Sequence, residues 1–151
     1  MINKNAGKVI LVGAGPGDTG LLTLNGKQWL GKAEVVLYDH LVNPDMIRFT
    51  QKSAEMIYVG KKEGVASMTQ EQINLLLIKK AHEGKLVVRL KGGDPFIFGR
   101  GGEEIQAIRK EGIPFVIVPG VTSVTGVAAY AGIPLTHRHL SSTLSIITGS
   151  N

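Results

Sequence analysis

Cysteine is absent from the 151 residues of this chain, which excludes disulfide cross-links and thiolate metal sites. Aromatic residues make up only 5% of the sequence, and this scarcity disfavours a stacking platform for nucleic acids. No apolar run approaches the ~20 residues of a membrane span, and no early segment resembles a signal peptide. We therefore expect a cytoplasmic protein with neither a membrane nor a nucleic acid as its partner.

Glycine is the residue in excess, at 20 of the 151 positions. Its usual share is about 7%, and because no collagen period is present we assign the excess to loops. The formal net charge of +5 indicates an anionic partner. The basic residues are scattered, which fits an acidic small molecule better than a nucleic acid. His137 and His139 have no apparent third ligand, so we predict no metal site.

Short apolar runs alternate with helical patterns along the chain. The runs at 8–12, 35–38, 56–59, 86–88, 115–118 and 144–148 predict strands. Helices are expected to begin at Thr23, at Asn43, which is followed by Pro44 at the first helical position, and at the Thr69–Gln72 capping box. This alternation predicts an α/β fold, with a mostly parallel sheet and helices on both faces.

The stretch 89–104 contains five glycines and one proline between a predicted strand and a predicted helix. Gly92 and Gly93 expose bare backbone where the strand ends, and Asp94 adds a carboxylate beside it. Ligands of open α/β sheets bind outside the carboxyl ends of the strands. We therefore interpret the stretch as a ligand-binding loop.

Residues 15–20 satisfy the G-x-G-x-x-G fingerprint of dinucleotide-binding folds, and Asp39 stands at the end of the next predicted strand. Two details argue against a dinucleotide. Asp18 would put a carboxylate where the helix N-terminus should receive a pyrophosphate. The loop is also long, because Gly13 closes the strand and the helix begins near Thr23.

Polar side chains follow several predicted strands, namely Asp39, Lys61, Asp94 and the pair Thr122 and Ser123. The carboxyl ends of parallel strands meet at one edge of a sheet, so we expect these groups to lie together. A carboxylate and an ammonium there suit proton transfer around a small molecule, with Asp39 as base and Lys61 as acid or anion anchor. The serines lack the G-x-S-x-G context of a hydrolase nucleophile.

Six segments together resemble the tetrapyrrole methylase family, and within it the enzymes that methylate uroporphyrinogen III. They are residues 12–18, 37–39, 59–61, 89–104, 118–123 and 132–138. The resemblance implies two α/β domains with S-adenosylmethionine in the cleft between them, usually in a homodimer. Family chains are considerably longer, so we expect a truncated chain. Residues 1–120 would form the first domain, and residues 121–151 an inter-domain helix, a linker and the first strand of a second domain.

The resemblance also implies roles for individual residues. Asp39 matches the proton acceptor and Lys61 the proton donor, while Arg100 and Arg138 would contact substrate carboxylates. The expected cofactor contacts are Pro16, Gly92, Gly93, Asp94, Ile97, Thr122 and Ser123. The implied reaction transfers methyl groups to two pyrrole carbons of uroporphyrinogen III. It forms precorrin-2, for siroheme or cobalamin biosynthesis, and releases S-adenosylhomocysteine.

Three residues depart from the family pattern, namely His40, Ala66 and His139. These positions lie near the expected substrate side, so the departures affect the expected tetrapyrrole contacts and leave the expected cofactor loops unchanged. The alternatives are a cobalt-precorrin methyltransferase, a ribosomal RNA methyltransferase of the same superfamily, and a non-catalytic nucleotide-binding module. Because half of the expected cleft would be missing, we expect the 151 residues alone to be inactive.

Overall fold

The computed structural model describes residues 7–60 and 68–149. Its strands are β1 (Lys8–Gly13), β2 (Val35–Tyr38), β3 (Glu55–Tyr58), β4 (Leu86–Lys91) and β5 (Phe115–Val118). Its α-helices are α1 (Leu24–Leu30), α2 (Gln70–His82), α3 (Gly101–Lys110) and α4 (Ser123–Tyr130), and 3₁₀ helices span Thr19–Leu21 and Pro44–Phe49. The strands form one parallel sheet in the order β3-β2-β4-β1-β5. The predicted α/β class is confirmed.

Successive side chains of the central strands enter two separate cores, because neighbouring strand residues point to opposite faces. Val9 and Leu11 of β1 join a core that includes Leu77 of α2. Ile10 of β1 joins the opposite core, together with Leu30 of α1. Helices therefore cover both faces of the sheet, as the alternating sequence predicts.

Local side-chain caps set the helix starts that the sequence predicts. The Thr23 hydroxyl accepts a hydrogen bond from the Gly26 amide at 3.0 Å. Thr69 and Gln72 form a reciprocal capping box at the start of α2. Each cap satisfies amide groups that have no partner inside the helix. Within the described ranges, no helix is long and apolar enough to cross a membrane.

Residues 142–148 have no regular secondary structure, so the strand expected at 144–148 as the first strand of a second domain stays a prediction. Ile147 is 87% exposed. An apolar run becomes a strand only when a neighbouring strand accepts its hydrogen bonds, and no described strand of the sheet pairs with this run. β4 is longer than predicted and continues to Lys91, because it pairs with β1 along its whole length.

Three glycines bring β1, β4 and β5 into close backbone contact at the carboxyl edge of the sheet. A Cβ atom at Gly120 would lie 2.7 Å from the Gly13 Cα and closer still to the Gly93 carbonyl oxygen. The obstructing atoms belong to the backbone, so they cannot rotate away. Side chains are therefore excluded at Gly13 and Gly120, where the first and third of these loops leave the sheet.

Replacing Gly120 with alanine should destabilise the protein by about 1–3 kcal/mol, since overpacking forces the backbone to shift. Urea denaturation of the wild type and the variant measures the difference. Gly102→Ala is the matched control, because a Cβ there meets no atom within 4 Å. That control should be neutral or stabilised by up to about 1 kcal/mol. Equal stability of the two variants would contradict the close-contact interpretation.

Candidate functional site

A cleft of about 920 Å³ opens at the carboxyl edge of the sheet, which is the volume of a small-molecule site. The residues predicted from sequence that line it are Pro16, Asp39, Gly92, Gly93, Asp94, Ile97, Arg100, Thr122 and Ser123. Arg138 does not line it, and belongs instead to a separate depression formed by residues 136–142. Lys61 and Ala66 lie outside the described residues. The edge predicted from sequence is thus where the structure has its cleft.

Paired backbone forms part of the cleft surface. Gly93 donates its amide to the Gly15 carbonyl at 2.8 Å, and Gly15 donates back at 3.2 Å. Gly93 has φ +63°, and an added Cβ would meet only the Thr122 Cα, at 3.9 Å. The space above Gly93 is therefore a cradle that a side chain would fill, and a ligand can approach the peptide groups directly.

Asp94 connects the loop after β4 to the end of β5. Its Oδ1 accepts the Phe96 amide at 2.8 Å, and its Oδ2 accepts the Gly120 amide at 3.1 Å. Both carboxylate oxygens thus have backbone donors. Asp94 therefore organises the loop in addition to lining the cleft.

The loop leading into α3 carries two non-glycine residues in the left-handed region, Phe98 with φ +50° and Arg100 with φ +55°. Strained backbone of this kind clusters at ligand sites. Arg100 forms two hydrogen bonds of 2.7 Å with the Glu103 carboxylate. This contact raises the pKa of Arg100 and lowers the pKa of Glu103. The Arg100 side chain remains 58% exposed at the edge of the cleft while it is paired with Glu103.

Asp39 lies just beyond β2, and both of its oxygens have donors. Oδ1 accepts the Leu41 amide at 3.1 Å, and Oδ2 accepts the Arg89 guanidinium at 3.1 Å. The carboxylate is 18% exposed and lines the cleft. The structure thus places the Asp39 carboxylate at the cleft surface, within reach of a bound molecule.

The sequence does not predict the buried charges behind Asp39. Glu104 is fully buried, and its Oε1 accepts the Arg89 Nε at 3.0 Å. The Lys91 Nζ lies 3.0 Å from both Glu104 carboxylate oxygens. Burial lowers the pKa of Lys91, and the neighbouring Arg89 lowers it further, whereas Glu104 raises it. Glu104 therefore neutralises buried cations, although its place in a first helical turn suggests only a helix-dipole role.

One signal in the sequence could have revealed this cluster. Arg89 and Lys91 alternate with Val88 and Leu90 in a strand between two other strands. Both cations therefore point to the same face of a buried sheet, where an unpaired charge is too costly to persist. An acidic partner on the covering helices is then required.

The loop after β1 is not arranged for a dinucleotide. Asp18 accepts the Gly20 amide at 2.7 Å and the Tyr130 hydroxyl at 2.7 Å. The Asp18 carboxylate thus accepts the Gly20 amide, a donor that a pyrophosphate would need. In addition, α1 begins only after the Thr23 cap. The sequence-based argument against a dinucleotide site is consistent with this geometry.

Comparison with known proteins identifies relatives of this chain. The family model for tetrapyrrole (corrin/porphyrin) methylases matches residues 8–150. The chain is 59% identical to siroheme synthase 1 of Yersinia enterocolitica over 97% of its own length and 31% of that protein. It therefore spans about a third of this curated relative.

Solved structures of tetrapyrrole methyltransferases are also similar to this chain. A uroporphyrin-III C-methyltransferase from Thermus thermophilus is 50% identical with a TM-score of 0.78, over 88% of this chain and 56% of that one. A structure of the Thermus enzyme complexed with S-adenosylhomocysteine is 45% identical with a TM-score of 0.75, over 91% and 53%. A cobalt-precorrin-4 methyltransferase is 39% identical with a TM-score of 0.80, over 90% and 55%.

Truncating Glu104 to alanine should destabilise the protein by about 3–5 kcal/mol, because two buried cations lose their carboxylate. The matched control is Glu103→Ala, which removes the adjacent carboxylate from an exposed pair with Arg100. Urea denaturation should give a much smaller loss for Glu103→Ala. Equal losses would contradict the assignment of Glu104 as a buried counter-ion.

Removing the Tyr130 hydroxyl should raise the pKa of the Asp18 carboxyl. The hydrogen bond from Tyr130 is the main cause of its lowered pKa, followed by the Gly20 amide. The contribution of this carboxylate to stability is present above its ordinary pKa and is lost as the pH falls through the lowered one. Carboxyl ¹³C NMR titration of Tyr130→Phe measures the shift, with Tyr38→Phe as control. An unchanged Asp18 titration would contradict the assignment.

Proposed function

This chain belongs to the tetrapyrrole methylase family, and we propose that its cleft binds S-adenosylmethionine for methyl transfer to uroporphyrinogen III. The product would be precorrin-2, after two methyl transfers. The observation that carries the proposal is the cleft at the carboxyl edge, where glycine backbone and the Asp39 carboxylate face the same space. The names of the relatives, siroheme synthase and uroporphyrin-III C-methyltransferase, support siroheme biosynthesis as the pathway.

The residues fit this cofactor because glycine leaves part of the backbone at the cleft surface uncovered by side chains. S-adenosylmethionine carries no phosphate, and the open space above Gly93 admits a ligand close to the backbone. Pro16, Gly92, Gly93, Asp94, Ile97, Thr122 and Ser123 would hold it. When bound, the cofactor supplies an electrophilic methyl group on its sulfonium.

The chain's own residues would orient the substrate and accept a proton. Attack of a pyrrole carbon on the methyl group leaves a cationic ring system that must lose a proton, and Asp39 would accept that proton at the cleft surface. Arg100 would exchange its exposed Glu103 partner for a substrate carboxylate, since a guanidinium fork matches carboxylate geometry. Lys61 as proton donor and Arg138 as a second substrate contact remain proposals carried by the family resemblance. Holding the methyl group and the pyrrole carbon in line would supply much of the acceleration.

Residues 121–151 are proposed to connect this domain to the remainder of a longer protein. Several of their described apolar side chains are exposed, among them Val127 at 62% and Leu140 at 81%. A second domain packed there would complete the cleft. We propose that the whole protein acts in the cytoplasm as a homodimer, and that the 151 residues alone are inactive.

Two other functions remain as alternatives. A cobalt-precorrin methyltransferase would keep the cofactor and use another tetrapyrrole, and the similarity to cobalt-precorrin-4 methyltransferase favours it as the second candidate. A non-catalytic nucleotide-binding module would bind NAD rather than S-adenosylhomocysteine. The hydrogen bonds of Asp18 to Gly20 and Tyr130 argue against that module.

The natural full-length protein, incubated anaerobically with S-adenosylmethionine and uroporphyrinogen III, should add two methyl groups to the tetrapyrrole. Mass spectrometry of the product measures this gain. Asp39→Ala should lower the rate of this gain by about 10²–10⁴-fold, the usual contribution of a general base, and should retain S-adenosylhomocysteine binding. Asp45→Ala is the matched control, because Asp45 is an exposed carboxylate outside the cleft.

Each failure of this experiment has a distinct meaning. S-adenosylhomocysteine binding without methylation of uroporphyrinogen III would redirect the substrate to a later tetrapyrrole. NAD binding without S-adenosylhomocysteine binding would reject the methyltransferase proposal. Full activity in Asp39→Ala would remove Asp39 from the mechanism.

A further inference from the structure

We propose that Arg89 is a positioning residue that orients the Asp39 carboxylate for its role at the cleft. The inference rests on the proposed function and deepens it. The Arg89 side chain is 4% exposed, and the carboxylates of Asp39 and Glu104 lie on two sides of its guanidinium. Arg89 therefore links Glu104, a buried residue of α3, to Asp39, the residue proposed to accept the proton.

The Arg89 guanidinium is held from three directions. Its Nε donates to Glu104 at 3.0 Å, and its Nη2 donates to Asp39 at 3.1 Å. Its Nη1 donates to the Leu90 carbonyl at 3.0 Å. A planar fork with all its nitrogens engaged has one orientation, so the direction in which Arg89 meets Asp39 is defined by Glu104 and the backbone.

Asp39 depends on Arg89 for its second attachment. Its Oδ1 accepts the Leu41 amide, a local turn contact that lies within the same loop. Its Oδ2 contact with Arg89 joins that loop to β4, the strand at the centre of the sheet. With both oxygens attached, the plane of the carboxylate is fixed relative to the sheet.

The cluster holds as many positive as negative charges, so the hydrogen bonds of Arg89 can be tested separately from its charge. Two cations, Arg89 and Lys91, lie with two anions, Asp39 and Glu104. Lysine at position 89 would keep the total charge. An ammonium cannot present separate donors in fixed directions to Glu104, Asp39 and a carbonyl, as a guanidinium does. Arg89→Lys therefore removes the orientation of Asp39 while preserving the charge.

In the natural full-length protein, Arg89→Lys should lower kcat for methyl transfer by about 100-fold, the usual cost of misplacing a catalytic group by about 1 Å. The KM for the tetrapyrrole and the affinity for S-adenosylhomocysteine should stay at the wild-type values, because neither depends on the direction of the Asp39 carboxylate. kcat is expressed per site that binds S-adenosylhomocysteine, so unfolded molecules do not count. Arg109→Lys is the control, since Arg109 is exposed on α3 and outside the cleft.

A double-mutant cycle separates positioning from a merely structural role. If Arg89 acts through Asp39, Arg89→Lys should cause no further loss of kcat in the Asp39→Ala background. An equal loss in both backgrounds, or wild-type kcat in Arg89→Lys, would overturn the inference. If Arg89→Lys binds no S-adenosylhomocysteine, Arg89→Gln takes its place, because Lys91 still neutralises Glu104.

A crystal structure of the variant tests the inference without any assay. In Arg89→Lys the Asp39 carboxylate should leave its present orientation, and an unmoved carboxylate would overturn the proposal. This readout holds even if the wild type fails to methylate uroporphyrinogen III. Inactivity of the wild type would therefore reject the proposed function, and an unmoved Asp39 would reject the positioning role.

Discussion

The geometry of the cleft depends on the neutralisation of two cations on the buried strand β4. Arg89 and Lys91 are almost fully buried, and each would cost several kcal/mol without a partner. Glu104 meets both of them from α3, and Asp39 meets Arg89 from the end of β2. This requirement draws the first turn of α3 and the loop after β2 towards the same strand. The loop that joins β4 to α3, residues 92–100, therefore lies at the carboxyl edge of the sheet.

Close backbone contact is the second constraint on that edge. Gly13 and Gly120 meet each other and the Gly93 carbonyl oxygen so closely that neither position has room for a side chain. The Asp94 carboxylate holds the two later loops together through amide hydrogen bonds. The result is a ligand-facing surface of peptide groups and small residues. Such a surface suits a ligand that is recognised by shape and by peptide groups.

The elements predicted well are those whose signals lie within a few residues of each other. The caps at Thr23 and Thr69 act on amides three residues away, so the sequence contains both partners. The strand expected at 144–148 for a second domain stays a prediction, because pairing depends on a neighbouring strand that lies outside the run itself. Arg138 was assigned to the substrate by resemblance, and it lies apart from the cleft within the described residues.

The sequence by itself determined the alternating α/β order, the edge where the ligand groups gather, and the family resemblance of the loops. These follow from local periodicity, from glycine positions and from the rule that parallel strands end at one edge. Only the tertiary structure decided that Glu104 is a buried counter-ion rather than an exposed residue of a first turn. It also decided that Asp39 is attached to Arg89, because Asp39 follows β2 whereas Arg89 lies in β4. Their charges meet only when β2 and β4 pair, and burial then makes the pairing energetically necessary.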